Sequence, residues 1–506
     1  MEPSGGIVLV LGCYLLVLLA LGFWGSRDSK SLAGYYVAGK KLPSWVIAFS
    51  STSTGESAWL LLGLTGMGYM VGFHALWVVL GEFLGVLIAW KYVARPFKEY
   101  TDRYDSITVM DYLEARFRDN KHVLRLVGTV IILSMVTAYT AAQLTASGKA
   151  FNSFLGADYA TGVTLGAVVI LFYTTVGGFK AVAYSDLLQG VLMFSCLLLL
   201  PVTGILASGG WDSFIENLRL QDPALLTLMG SEGFNLTSVF SAIGFVAIGG
   251  AFLGSPQLLT RFMAARSQTD IVRGARIAIP CILVFDVGAV FAGMAGRVLF
   301  PALTDPETVL PVMSIELFPS IVTGLFLVTV LAAIMSTVDS LLILASASVV
   351  RDVIQQTLKL AIRERVLSLI GKSVTVVIGI VALVAALMEV RAIFWFVLFA
   401  WSGIAAAFTP AIICSLFWDK TTKAGAIGGM ISGFVATIVW VLFFKERFFD
   451  LYEMIPGFIV GFAVVIGVSL FGRPPQGAKE EMTSIMVEAR KSCFSREGVR
   501  WGYQEN

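Results

Sequence analysis

Apolar runs of about 20 residues recur along almost the whole chain, and about 20 apolar residues are what a helix needs to cross the hydrocarbon core of a bilayer. The runs fall at 6–25, 43–69, 73–93, 123–151, 158–175, 182–206, 236–255, 276–299, 311–347, 371–389, 392–415, 423–444 and 454–471. They predict an all-α polytopic membrane protein of roughly thirteen transmembrane helices. The ninth run is too long for one straight span, so a short helix is expected before the crossing one. In the interval 94–122, Arg95-Pro96-Phe97-Lys98-Glu99-Tyr100 followed by Val109-Met110-Asp111-Tyr112-Leu113 predicts an amphipathic helix lying at the membrane surface. After residue 473 the chain turns charged. Glu480 to Arg490 predicts a short helix, and the remainder a mobile tail.

Two runs are interrupted by residues that a lipid-facing helix does not tolerate. The second contains Ser50-Ser51-Thr52-Ser53-Thr54-Gly55-Glu56-Ser57-Ala58-Trp59. Hydroxyls and a carboxylate at membrane depth need partners in protein, water or an ion. The seventh contains Ala247-Ile248-Gly249-Gly250-Ala251-Phe252-Leu253-Gly254-Ser255-Pro256, where glycines and a proline let a helix unwind and turn carbonyls into a cavity. The two lie five runs apart, and paired interruptions of this kind point to a transport site near the bilayer midplane. Close packing through glycine, as in Gly81-xxx-Gly85, is the competing explanation. A third cluster is Ser336-Thr337-Val338-Asp339-Ser340. Ser336, Asp339 and Ser340 share one helix face, and hydroxyls with a carboxylate suit a hard cation. Back-bonding of the hydroxyls to the preceding turn is the alternative. Asp186 follows a tight turn at Gly177-Gly178-Phe179-Lys180 and reads either as part of a site or as a helix N-terminal acid. Glu82 and Asp286 also lie within apolar runs, with no partner legible.

Composition narrows the class. The chain of 506 residues is 57% hydrophobic and 14% charged, where a soluble domain carries about 25% charged residues. A net charge of +2 gives no reason to expect a nucleic-acid partner. Cys13, Cys196, Cys281, Cys414 and Cys493 show no CxxC spacing, and His74 and His122 are too separated for a metal centre. Without metal-ligand spacing or a nucleophile motif, no enzyme is expected. Met1-Glu2-Pro3-Ser4 lacks the basic region of a signal peptide, so the first run reads as a retained helix. With the N-terminus outside, the inner segments 26–42, 91–125, 176–181, 256–276, 348–372, 416–423 and 472–506 hold roughly 30 of the 36 Lys and Arg. The positive-inside rule therefore places the C-terminus in the cytoplasm and the protein in a plasma (inner) membrane.

Several pieces carry a family resemblance: Ser57-Ala58-Trp59-Leu60-Leu61-Leu62-Gly63-Leu64, Gly177-Gly178-Phe179 through Asp186, Pro256 through Arg261-Phe262-Met263-Ala264-Ala265, and Leu331-Ala332-Ala333-Ile334-Met335-Ser336-Thr337. From about Tyr35 to Gly472 the chain resembles the sodium:solute symporter family, most closely its sodium/proline symporter branch. The resemblance implies a leucine-transporter-like core of two inverted five-helix repeats, one helix before it and two after. It implies a sodium site built by Ser53 and Glu56 of the first core helix with Ala333, Ser336 and Thr337 of the eighth. It implies solute contacts from Ser57, Trp59, Phe252 and Pro256, with Tyr139 where the proline branch has a tyrosine. Asp186, Asp339 and Ser340 form a candidate second cation site, as some family members have. Two positions depart from that branch. Gly55 stands where it has an aspartate, which puts the carboxylate one residue later at Glu56. Ile248 and Phe252 stand where it has a tryptophan and a tyrosine, which removes hydrogen-bond donors from the pocket.

The expectation is therefore a sodium-coupled symporter importing a small organic solute, proline or a related amino acid, by alternating access. It is expected in a lipid bilayer, with sodium as coupling ion, no other cofactor and no obligatory protein partner. Its parts are 1–42 (first helix and inner loop), 43–206 and 207–415 (the two repeats), 416–473 (two further helices) and 474–506 (tail). Two rivals remain: a proton-coupled symporter using Glu56, and a transport-like solute sensor, for which the tail is short.

Overall fold

The computed structural model describes residues 5–26, 31–231, 233–388 and 393–497. The readings made above for Met1-Glu2-Pro3-Ser4 and for the Cys493 side chain lie outside what it describes. The described chain is helical apart from an isolated bridge between Leu42 and Ala265.

The chain opens with α1 (Gly5–Ser26) and α2 (Leu32–Val37). Helix α3 (Ser44–Ala58) leaves helical geometry at Ser57, with φ 46° and ψ −168°. It continues through a π-type stretch, Trp59–Leu64, into α4 (Thr65–Val71). At Gly72, with φ 56°, the chain folds back into α5 (Leu76–Ile88). Then come α6 (Ala94–Arg103), α7 (Val109–Phe117) and α8 (Val123–Leu155). Helix α9 (Tyr159–Ala207) bends at Gly178, where φ is 65°, so that its two arms match the two apolar runs predicted there. After α10 (Trp211–Gln221), α11 (Leu236–Ala247) tightens into a 3-10 turn, Ile248–Leu253, and α12 (Pro256–Ala264) restarts the helix. Next are α13 (Gln268–Leu299), the short α14 (Val309–Leu317) and α15 (Ser320–Ala347). The ninth run is thus split as expected, because Pro319 cannot continue α14. The remaining helices are α16 (Glu364–Leu387), α17 (Ile393–Phe417), α18 (Lys423–Val439), α19 (Met454–Leu470) and α20 (Ala478–Glu497).

Ten helical stretches among the described residues are long and apolar enough to cross a membrane, and Tyr159–Phe172 and Met454–Leu470 are shorter apolar helices. One of the ten, Ser44–Arg103, is two bodies folded at Gly72, so each of the thirteen predicted runs has its helix. The apolar windows of α15 and α17 are 83% buried and that of α1 only 22%, which puts the former at the centre of the bundle and the latter at its edge.

Two expectations change. The interval 94–122 is not one surface helix. It forms α6 and α7, whose Phe97, Tyr100, Tyr112 and Leu113 are buried. Four aromatic rings, Phe97, Tyr100, Tyr104 and Tyr112, pack edge to face and tilted against one another, giving these helices an interior of their own. Thr108 and Asp111 close a capping box at the start of α7. The tail helix α20 is longer than predicted and docked. Arg103 pairs with Glu488 at 2.7 Å, the Tyr104 hydroxyl donates to Glu481 at 2.6 Å, and Arg95 donates to the Ala489 carbonyl.

The glycines of the seventh run serve packing as well as unwinding. A methyl group on Gly249 would lie 1.8 Å from the Gly81 carbonyl oxygen, and one on Gly85 would lie 2.0 Å from the Gly249 carbonyl oxygen. The unwound turn is therefore seated directly on the backbone of α5. Gly249→Ala is expected to lower stability by about 1–3 kcal/mol or more, because backbone cannot yield as a side chain does. Gly467→Ala, which meets nothing within 4 Å, is the control and should stay within about 0.5 kcal/mol of the parent. Thermal unfolding of the two purified variants measures both.

Candidate functional site

The site is built around the break in α3. With helical geometry lost at Ser57, backbone amides are freed in an apolar interior and need acceptors. The Ala58 amide donates to Gln143 Oε1 at 3.1 Å, and the Trp59 amide to the Ser57 hydroxyl at 3.2 Å. One turn before Gln143 on α8, the Tyr139 hydroxyl donates to Ser57 Oγ at 3.4 Å. Gln143 was not legible as a functional residue; its only signal is an amide in the middle of an apolar run.

Just before the break, α3 is stitched to α15. The Ser336 hydroxyl lies 3.0 Å from the Ser53 carbonyl oxygen and 3.0 Å from that of Ala333. Thr337 Oγ1 lies 3.1 Å from the Thr54 carbonyl and 3.3 Å from that of Ala333. Thr54 Oγ1 returns a bond to the Ser336 carbonyl at 3.2 Å. Ser53, Ala333, Ser336 and Thr337 are thus brought together, all buried. This neutral oxygen set of carbonyls and hydroxyls matches what a hard cation takes. Glu56 is not bonded to it.

Above the break the aromatic side chains close ranks. Trp59 stacks on Phe394 with centroids 5.6 Å apart. The Phe252 and Tyr139 rings meet Trp401 edge to face at 5.5 and 6.3 Å. Trp401 in turn donates to the Ile248 carbonyl of the unwound turn at 3.2 Å. Pro256 stands apart from these rings as the first residue of α12, where its missing amide costs nothing. The Phe252 ring also explains Gly55: a Cβ there would lie 2.7 Å from Phe252 Cε1. The ring occupies the space in which a side chain at position 55 would begin.

Asp186, Asp339 and Ser340 are also brought together, and the charge among them is a side chain. Arg261 Nη2 lies 3.1 Å from Asp186 Oδ2 and 2.8 Å from Thr54 Oγ1, and it also donates to Ser340 Oγ. Its Nε reaches Ser50 Oγ at 3.1 Å, and Nη1 the Gln257 carbonyl at 2.7 Å. Ser50 donates to Asp186 at 2.6 Å, and Ser340 to Asp339 at 3.3 Å. The Phe179 ring, set by the bend at Gly178, covers the guanidinium at 5.1 Å. Arg261 and Asp186 are 1% and 0% exposed. One guanidinium therefore joins α3, α9, α12 and α15. Sequence reasoning had placed Arg261 in a motif without a role, because only the fold sets it opposite Asp186.

Glu56 meets Glu82 of α5 and Asp286 of α13 instead. Carboxylate oxygens of the three lie within 4.8 Å of one another, and all three residues are buried.

A model of the sodium:solute symporter family matches residues 35–433. The chain belongs to that family. Among its relatives, the "High-affinity proline transporter PutP" of Bacillus subtilis (strain 168) is 35% identical over 466 residues, covering 91% of this chain and 97% of the relative. The "Sodium/proline symporter" of Staphylococcus aureus (strain NCTC 8325 / PS 47) is 33% identical over 481 residues, covering 92% and 93%. Of solved structures, a Na+-coupled sialic acid symporter in a substrate-bound outward-open state superposes with a TM-score of 0.78 at 19% identity, covering 93% of this chain and 99% of that one. Mhp1, a nucleobase-cation-symport-1 family transporter in a closed conformation, follows at 0.56 and 14%, covering 89% and 98%. These likenesses establish the leucine-transporter-like fold of the family member described here.

In this symporter-family chain, removing Arg261 strands two buried carboxylates. Arg261→Met is expected to cost about 3–5 kcal/mol of stability. Adding Asp186→Asn to it should restore part of that loss, as a thermal-unfolding double-mutant cycle would show. Full additivity of the two changes would mean that the pair does not interact.

Proposed function

We propose that the chain imports proline or a closely related amino acid together with sodium, by alternating access. The observation that carries the reading is the junction of α3 and α15 at the break, where Ser336 and Thr337 hydroxyls face the Ser53 and Thr54 carbonyls. Sodium would take these oxygens as ligands, with Ala333 contributing its carbonyl and Glu56 lying one turn further along α3. The solute would lie against the break itself, contacted by Ser57, Trp59, Tyr139, Phe252 and the turn leading to Pro256. The names of the two relatives support proline as the solute.

Coupling needs the ion to bind one state better than another. An ion held between α3 and α15 does so if the two helices separate on the way to release. Each inward sodium then contributes about 2.3 kcal/mol per 100 mV, beside its concentration term. The two repeats would be 43–206 and 207–415, each contributing one interrupted helix to the site. The Lys and Arg excess supports an outside N-terminus and a cytoplasmic C-terminus, and the proposed location is the plasma (inner) membrane.

Proteoliposomes tested with labelled proline should accumulate it under an inward sodium gradient and not under a proton gradient alone. Ser336→Ala and Thr337→Ala should each raise the sodium concentration for half-maximal uptake at least tenfold, equivalent to about 1.4 kcal/mol. Uptake driven equally by protons, or sodium dependence unaltered in both variants, would refute the assignment.

A further inference from the structure

Glu56, Glu82 and Asp286 present a charge problem that the sodium junction does not solve. They come from α3, α5 and α13 and are 0%, 3% and 0% exposed. Neither oxygen of Glu56 nor of Asp286, nor Oε2 of Glu82, has a hydrogen-bond partner. Among the described residues no Lys, Arg or His forms an ion pair with any of the three. Arg261, the buried base of this region, is committed to Asp186. Three acids at membrane depth, with their free oxygens turned toward one another, can stand together as carboxylates only with a positive charge that the chain itself does not supply.

We propose that these residues form a separate site for a hard metal cation of calcium or sodium size. The ligand chemistry is all carboxylate, with no His or Cys, which excludes a preference for soft metals. Oxygens of calcium sites stand at 2.3–2.6 Å from the ion, so ligands on opposite sides are about 5 Å apart. Carboxylate oxygens within 4.8 Å of one another fit inside that distance. Magnesium usually keeps several waters and binds through only one or two carboxylates, which a buried set of three does not offer. The count of three negative charges favours a divalent ion over a monovalent one.

The location gives the ion a task. Glu56 immediately precedes Ser57, where α3 breaks. A cation gripping Glu56, Glu82 and Asp286 would fix the start of the break against α5 and α13, while sodium acts on Ser53 and Thr54 one turn earlier. This inference does not depend on which solute is carried or on which ion drives it.

The test is equilibrium binding of calcium-45 and, separately, sodium-22 to the purified full chain in nanodiscs, after chelation, in a choline buffer. The chains compared are the parent, Glu82→Gln, Asp286→Asn and Ser336→Ala. The parent is expected to bind one of these ions with an affinity that falls at least tenfold in Glu82→Gln and Asp286→Asn and is unchanged in Ser336→Ala. Calcium binding with that pattern identifies a divalent site; a sodium component with that pattern identifies a monovalent one. If neither carboxylate variant folds, calcium decides: calcium binding kept in both the parent and Ser336→Ala upholds the site, and no calcium binding in either overturns it. The proposal is overturned if the parent binds no calcium and Ser336→Ala abolishes all sodium binding. It is overturned equally if the carboxylate variants bind both ions as the parent does. Failure of the sodium-junction reading looks different, since Ser336→Ala would then change nothing.

Discussion

A bilayer core offers no water to take up a free amide, so the interruption of α3 at Ser57 dictates what stands around it. Gln143 and the Ser57 hydroxyl accept the exposed amides, Tyr139 bonds Ser57, and the Phe252, Trp59 and Trp401 rings shield the rest. The break is then a stable feature rather than a defect. It leaves the carbonyls of Ser53 and Thr54 bonded to the Ser336 and Thr337 hydroxyls of α15.

Charge at membrane depth is handled in two contrasting ways. Around Arg261 the accounts of donor and acceptor nearly close: one guanidinium meets Asp186, three hydroxyls and a carbonyl, and it fastens four helices. A motion that parts α3 from α15 must also disturb these bonds, so the guanidinium couples the α3–α15 junction to α9 and α12. Around Glu56 nothing closes: the carboxyl groups of Glu56, Glu82 and Asp286 face one another, and among the described residues no base pairs with them. The two clusters lie on different neighbours of the same helix segment, 50–57.

Membership in the sodium:solute symporter family and the fold likeness account for the arrangement as a whole. The local departures are physical accommodations. Phe252 and Gly55 are one: the ring occupies the space in which a side chain at position 55 would begin. Gly249 on Gly81 is a packing requirement of its own, since an added Cβ at Gly249 would lie 1.8 Å from the Gly81 carbonyl oxygen.

The pattern of apolar runs by itself determined the all-helical membrane class, the thirteen helical bodies, the split of the ninth run and the two interrupted helices, because each depends on properties of contiguous residues. It also placed Ser53, Ser336 and Thr337 in candidate positions, since hydroxyls in an apolar run stand out locally. What only the tertiary structure decided is which distant charges meet. Arg261 opposite Asp186, Glu56 beside Glu82 and Asp286, and Gln143 beneath the break join residues tens to hundreds of positions apart. No periodicity records such pairings, because helix packing alone sets which face of one span turns toward which face of another. The same reason governs α6 and α7, whose composition reads as surface and whose aromatic faces are buried by neighbours remote in the chain, and α20, which docks through Glu481 on Tyr104.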